Sequence, residues 1–385
     1  MSSIKDVAKL AKVSVATVSR VINQSAPVEA NTQKKVEKAI AKLNYRPNLM
    51  AIGLRQHKTV NSQKVLGSNY SVFENYCDYA RENKQFPGLP GQGKKLAFAG
   101  IGTHRFCNAV QQNIIKQARL AGFDEQGLIL TNNQYNREIA LQNADFILSL
   151  KPDIFVQYQG DALVNNIIAE KFQAADIPII AVDVPVPGSP FVGVNNWRVA
   201  TLGGKFMARM INKKWGGYDA IDRIVLLQFT QGGEGTLLRS EGFATALVDA
   251  FGEQIESKII RIDGGRGYHP EAKVAMEKVL KKYPNDRNMA ITAINEQSLR
   301  GVLEALKAAD RFSPEEKLIV GTGGDNLGKQ QIRDGLINGT VGFFPEKYGE
   351  LIVPAACAII EGHPVQSHIY IKNSVITPKN INRYS

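Results

Sequence analysis

Apolar residues recur along this chain with two different periods, and the change of period divides it. Ile4, Val7, Ala8 and Ala11 stand at i, i+3, i+4 and i+7, one face of a short helix. In "KVSVATVSRVIN", residues 12–23, Val18, Val21 and Ile22 share a helical face, while Val15, Ala16, Ser19, Arg20 and Asn23 share the opposite one. Ser14 is placed to cap this second helix, 15–22, by accepting from a free backbone N–H. Val36, Ala39, Ile40 and Leu43 repeat the spacing and predict a third helix over roughly 32–44. Two helices joined by a short turn and packed on a third make a helix-turn-helix unit over 1–46. Pro47 ends the third helix and Asn48 caps a further one within 47–57. With Gly53 inside it, that hinge helix is too short to be stable alone, so its folding would be coupled to binding.

From residue 94 onward, short β-type runs replace the helical period. "KLAFAGI" precedes a helical pattern over 108–121, and "GLILTN" another over 136–150. "DIFVQY", "IPIIAVD", "RIVLLQF", "KIIRID", "MAITAIN" and "KLIVGTG" read as buried parallel strands followed by amphipathic segments. This predicts an α/β body over 94–385 with parallel sheets and helices on both faces. Its length points to two lobes, about 94–194 with 344–372, and about 195–343 with 373–385. Between head and body, 58–93 is an atypical linker. It contains "YSVFENYCDYAREN", where Phe73, Tyr76 and Ala80 share one helical face, and then the breaker-rich "FPGLPGQGKK". Mainly a partly ordered spacer is expected there, with an aromatic helix docked on the body as the alternative.

The outward face of the second helix carries a cation, small side chains and methyl groups, which suit a DNA major groove. The N-terminal residues of such a helix meet base edges. Arg20 would be the hydrogen-bonding reader, with Val15 and Ala16 giving apolar contacts, Thr17, Ser19 and Asn23 bonding phosphates, and the capping Ser14 counted with the DNA-binding residues. Leu49, Met50 and Leu54 in the hinge are apolar wedges of the kind that open a base step from the minor groove, with Arg55 beside them. Charge agrees with this. Residues 1–60 hold eleven Lys and Arg against three acidic residues, a net +8, while the other 325 hold 36 against 33, a net +3. A basic head on a nearly neutral body is the footprint of a nucleic-acid binder.

Other classes are disfavoured. The apolar share of 44% is that of a folded globular protein rather than a disordered one. Cys77, Cys107 and Cys357 are odd in number and lack metal spacing, and are expected to be reduced thiols of a cytoplasmic protein. The five histidines form no HExxH pattern, and no signal peptide or 18-residue apolar run is seen, so no membrane partner is expected. "GGDNLGKQ", 323–330, fits G-x-x-x-x-G-K over Gly323–Lys329 but ends in Gln330 where a phosphate loop needs Ser or Thr. It leaves a nucleotide-using enzyme as one alternative. A sugar-binding module of a transporter is another, disfavoured by the head. No catalytic residue, metal site or cofactor is expected. Polar residues at strand mouths carry more: Asp183 ends "IPIIAVD", Arg239 opens "RSEGF" and Asn295 ends "MAITAIN". Ligands in parallel α/β folds sit beyond such ends, and a carboxylate, a guanidinium and an amide suit vicinal hydroxyls.

"IKDVAKLAKVSVATVSRVIN…VEKAIAKLNYRPNLMAIGLR" strongly resembles the headpiece and hinge of the lac-repressor/gal-repressor family of bacterial transcription regulators. That resemblance implies base reading by Val15, Ala16 and Arg20, an intercalating Leu54, and a homodimer on a pseudo-palindromic operator. Lys12 stands at a turn position that is often Gly in the family, at a cost of about 1 kcal/mol if a left-handed backbone is needed. Ile52 stands where Arg is usual. The body, through "IPIIAVDVP…VGVNNWRVATLGG", "LLRSEGF" and "AINEQSLRGVLEAL", resembles the family's sugar-binding domain and ribose-type periplasmic binding proteins. This implies effector positions at Asp183, Arg239 and Asn295 and at His104, Arg105 and Phe106. The pair Asn195–Asn196 falls where the chain first crosses between lobes. A family Asp is replaced by Gly323, with Asp325 two residues on, and a family Gln by Phe343. One carboxylate lost and His104 and Arg105 gained would make the pocket more positive. That leaves a sugar phosphate or sugar acid open beside a neutral sugar or polyol.

Overall fold

The computed structural model describes residues 4–14, 17, 18, 21, 30–42 and 71–384, and the chain divides into two compact units, 1–66 and 67–385. In the first, helices α1 (Ile4–Ala11) and α2 (Ala30–Lys42) pack through Val7, Ala8, Ala11, Val36 and Ala39. Val18 is fully buried in the same core and Val21 lies against it, as the period of that segment predicts. Lys12 has φ +55°, so the turn does require the left-handed backbone, and it carries a lysine there.

The second unit is built on two six-stranded sheets. The first holds β1 (Leu96–Gly100), β2 (Leu128–Asn132), β3 (Ile154–Gln157), β4 (Ile179–Val182) and β5 (Phe191–Gly193). The second holds β6 (Arg223–Gln228), β7 (Ile259–Asp263), β8 (Met289–Ala293), β9 (Lys317–Gly323) and β10 (Gly339–Gly342). At the end of the chain β11 (His368–Tyr370) returns to the first sheet and β12 (Ser374–Ile376) to the second. The orders are β11-β5-β4-β3-β1-β2 and β12-β10-β9-β8-β6-β7, every pair parallel except β10 with β12. The chain therefore crosses between the lobes three times, after β5, β10 and β11.

Helix α3 (Ser71–Arg81) precedes β1, and helices follow the strands as α4 (Arg105–Leu120), α5 (Arg137–Ser149), α6 (Ala162–Ala174) and α7 (Asn196–Trp215). They continue as α8 (Glu234–Phe251), α9 (His269–Lys282), α10 (Glu296–Ala308), α11 (Asn326–Arg333) and α12 (Gly349–Ile360). Both faces of each sheet are apolar because both are covered. On β1, Leu96 and Phe98 enter one core and Ala97 and Ala99 the other. On β6, Val225 and Leu227 enter one while Ile224 and Leu226 pack with Met207 of α7 and Phe243 of α8. A Cβ on Gly203 would come within 2.2 Å of the Phe243 ring, so glycine lets α7 and α8 cross closely.

The spacer expected over 58–93 is corrected from residue 71 on. Phe73, Tyr76, Cys77 and Ala80 of α3 are buried in the core of the first lobe, with Phe86 stacked on Tyr76 at 5.3 Å between centroids. Tyr76 donates to Glu361 Oε2 at 2.7 Å, just past α12, and Gln117 Nε2 of α4 donates to the Ala80 carbonyl at 3.0 Å. The breaker-rich run is also pinned, since Phe86 N donates to Leu120 O and Gly91 N to Ala121 O. Four apolar residues at helical spacing bury enough surface to hold an eleven-residue helix that would not stand alone.

Candidate functional site

In the head, Ser14 acts as expected. Its Oγ accepts from Thr17 N at 3.0 Å and pairs with Thr17 Oγ1 at 2.9 Å, which fixes the start of the second helix. Lys12, Lys35, Lys38 and Lys42 are exposed around a shallow surface cavity of about 440 Å³ between α1 and α2, a concentration of positive charge on this small unit. Val15, Ala16, Ser19, Arg20, Asn23, Leu54 and Arg55 lie outside the described residues.

In the body, strand ends bring a second set together. Asp183 follows β4 with φ +56°, a left-handed conformation that Asp tolerates better than most residues. Its Oδ1 accepts from Tyr348 Oη at 2.7 Å and Val194 N at 3.2 Å, and its Oδ2 accepts from Tyr158 Oη at 3.0 Å. Burial pushes the Asp183 carboxyl up, and the Tyr348, Val194 and Tyr158 hydrogen bonds and the Arg239 charge oppose that. Arg239, on α8 of the other lobe, donates from Nε to Asn196 Oδ1 at 2.7 Å and from Nη1 to Ile294 O at 3.3 Å. Its guanidinium lies 4.8 Å over the Phe343 ring. Burial pulls its pKa down, while Asp183, Tyr348, Tyr158 and Glu296 raise it. Phe106 meets Phe343 and Tyr348 edge to face, at 6.4 and 5.6 Å between centroids, and so closes an aromatic wall between the lobes.

The other expected effector residues are placed differently. Asn295 caps α10, with Oδ1 accepting from Ser298 N at 2.8 Å and Nδ2 donating to Gly267 O at 3.1 Å. Asp325 is exposed and caps α11, accepting from Gly328 N at 2.8 Å. His104 and Arg105 are exposed, His104 Nδ1 accepts from Phe106 N at the start of α4, and neither bonds Asp183 or Arg239. The extra positive charge expected from them is therefore not delivered to the Asp183–Arg239 pair.

Three residues in this region were missed by sequence reasoning. Tyr158 and Tyr348 hold Asp183; Tyr158 closes the run "DIFVQY" and could have been found by the same strand-mouth rule as Asp183. The third is Glu296, directly after Asn295, only 2% exposed. Its Oε1 accepts from Gly324 N and from Thr340 Oγ1, both at 2.6 Å. Burial, reinforced by the Asp325 charge, pushes its carboxyl up to about 8. A Cβ on Gly323, whose φ is +130°, would lie 2.2 Å from Glu296 Oε2, so the carboxyl takes the room of a side chain at 323. The same geometry argues against the phosphate-loop reading of Gly323–Lys329. Gly324 N donates to Glu296 and Gly328 N to Asp325, so carboxyl groups sit on the backbone donors that a phosphate would need.

These features define a two-lobed, parallel α/β binding domain of the periplasmic type behind a helix-turn-helix head. The family described as periplasmic binding protein domain matches residues 97–364, and that described as bacterial regulatory proteins, lacI family, matches residues 3–48. The chain belongs to the family of periplasmic binding protein domains, and its first residues carry a lacI-family domain. Over 58 residues it is 55% identical to the HTH-type transcriptional regulator RegA of Clostridium acetobutylicum, covering 15% of this chain and 17% of that one. Over 79 residues it is 54% identical to catabolite control protein A of Staphylococcus aureus, covering 20% and 23%. The chain thus spans less than a quarter of the length of these curated relatives. A solute binding protein of an ABC transporter from Bacillus halodurans C-125, solved with bound myo-inositol, shares the fold. Its TM-score is 0.64 at 18% identity, over 76% of this chain and 98% of that one. Among the described residues no helix is long and apolar enough to cross a membrane, and no group of His, Cys, Asp and Glu could hold a metal ion.

Proposed function

We propose that this chain is a sequence-specific DNA-binding transcriptional regulator, acting as a repressor, whose operator affinity is set by a small neutral sugar or polyol held between the two lobes. The observation that carries the reading is the run of contacts from Asp183 through Tyr348, Phe106 and Phe343 to Arg239, which joins the mouth of β4 in one lobe to α8 of the other, in a chain whose head matches a lacI-family domain. A half-buried carboxylate and a forked guanidinium beside an aromatic wall match the donors, acceptors and apolar face of a sugar ring. A neutral ligand is favoured over an acid or phosphate. Asp183 and Arg239 carry opposite charges, burial favours the neutral form of Glu296, and His104 and Arg105 bond neither Asp183 nor Arg239.

Asp325 and Asn295 act through the helices that they cap, fixing the strand mouths beside the ligand. A homodimer places two heads about one helical turn apart on a pseudo-palindromic operator. Closure of the lobes on the ligand couples to operator affinity by the ligand's preference for the closed state, and the coupling is reciprocal. The myo-inositol carried by a structural relative supports the ligand class. The test is footprinting of the region upstream of the gene with the full chain, with and without neutral sugars and cyclitols. A protected site whose affinity shifts with one of them is expected; no protected site defeats the reading.

A further inference from the structure

Glu296 is a buried acid that takes no part in the contacts around Asp183 and Arg239, and its two oxygens are unequally served. Gly324 N and Thr340 Oγ1 both donate to Oε1, the Glu296 amide also acts on the carboxyl, and no side chain among the described residues donates to Oε2. Oε2 lies where a side chain at 323 would begin, at the carboxyl end of β9, the edge at which folds of this kind hold their ligands. A Cβ on Gly328 would likewise come within 2.6 Å of Glu296 Cγ, so glycines 323 and 328 form a cradle that admits the glutamate and excludes other side chains. The cradle adjoins the site. Gly323 O accepts from Phe343 N at 2.8 Å, Phe343 stacks on Arg239, and Arg239 bonds Ile294 O, two residues before Glu296.

We propose that Glu296 is an effector-binding residue whose Oε2 hydroxyl donates a hydrogen bond to a hydroxyl group of a neutral sugar or polyol seated over Arg239. The proposal rests on the sugar reading above and adds the group by which the second lobe recognises the ligand. With Oε1 accepting from Gly324 N and Thr340 Oγ1, Oε2 is the oxygen left to carry a proton, and burial favours the protonated, donating form. The charged groups acting on it are Asp325 from α11, which favours the neutral form, and Arg239 from α8. With the carboxyl pushed up to about 8, ionisation at pH 9 converts the donor into an acceptor. Parting of the lobes opens Oε2 to the ligand together with Asp183 and Arg239.

The experiment is calorimetric titration of the full chain with myo-inositol, D-ribose, D-allose and D-fructose, at pH 7 and pH 9. It compares wild type, Glu296→Gln and Glu296→Ala, with circular dichroism melting as the fold control. At least one compound is expected to bind wild type and to weaken by about tenfold at pH 9, the loss of one good hydrogen bond. Glu296→Gln keeps a donor in the same place, so it binds within about tenfold of wild type at pH 7 and shows no weakening at pH 9. Glu296→Ala is expected to lose about tenfold to a hundredfold; if it does not fold, the pH profile of Glu296→Gln decides. Variants that bind like wild type at both pH values overturn the role of Glu296 and leave the sugar reading standing. If no compound of the panel binds wild type, the sugar reading falls and takes the proposal with it.

Discussion

Tyr348 donates a 2.7 Å hydrogen bond to Asp183 across 165 residues of sequence, tying the start of α12 to the mouth of β4. Both lie beside the points where the chain changes lobes, so this bond sits in the part that must hold still while the lobes move. Tyr348→Phe removes one of three donors to the carboxylate and leaves Tyr158 and Val194 in place. It is expected to cost about 1 kcal/mol in urea denaturation. Asp183→Ala strands two phenol hydroxyls at once and should cost about 2–4 kcal/mol. Equal losses in the two variants would contradict the hydrogen-bond geometry.

Arg239 combines a fork, bonded to Asn196 and Ile294, with a flat face on Phe343. Lysine offers neither shape. Arg239→Lys and Arg239→Ala should therefore both abolish the response to effector while leaving operator binding by the free protein intact, read by mobility shift with and without the sugar. A variant that still responds normally would displace the site from this strand mouth.

For the head, Arg20→Ala should cost about 1–3 kcal/mol on the operator and relax the preference at one base pair. Competition against random DNA separates this from a phosphate contact, which would weaken all sequences alike.

The buried helix α3 gives a stability test. Phe73 is 5% exposed, and Phe73→Ala should destabilise the body by about 3–5 kcal/mol. Tyr76→Phe, losing the bond to Glu361, should cost about 1.5–3 kcal/mol. A flexible spacer would register less than about 0.5 kcal/mol for either change.

The sequence was most legible where one face of an element is periodic. Ser14 as a cap, Val18 as core, and the alternating strands with Asp183 at the mouth of one all follow from local rules, whereas Arg239, expected at a strand mouth, stands inside α8. α3 was legible only in part, because Phe73, Tyr76 and Ala80 show a helical face but not what covers it, and the covering α12 lies some 270 residues later. Asn295 and Asp325 look like ligand residues in one dimension. In three they spend their side chains on helix caps, a role that strand-mouth Asn and Asp share with ligand binding. Glu296 was invisible because its meaning depends on two glycines 27 and 32 positions away.

Glu296 also sets a pH dependence of stability. Its carboxyl is pushed up to about 8 in the folded chain from an ordinary value of 4.5. Between those values the folded state holds a proton that the unfolded state has released, so stability is highest below about 4.5 and falls as pH rises towards 8. The slope from this one group is about 1.4 kcal/mol per pH unit within the window, and it vanishes above about 8 once both states are ionised. Asp183, also raised by burial, adds a contribution of the same sign, so the slope is reduced rather than removed when Glu296 is changed. Urea unfolding of wild type and Glu296→Gln from pH 5 to pH 9 reads the difference directly. The two lines should diverge with rising pH, wild type losing the more, and become parallel above about 8. Lines that stay parallel throughout would mean that Glu296 is already ionised in the folded protein.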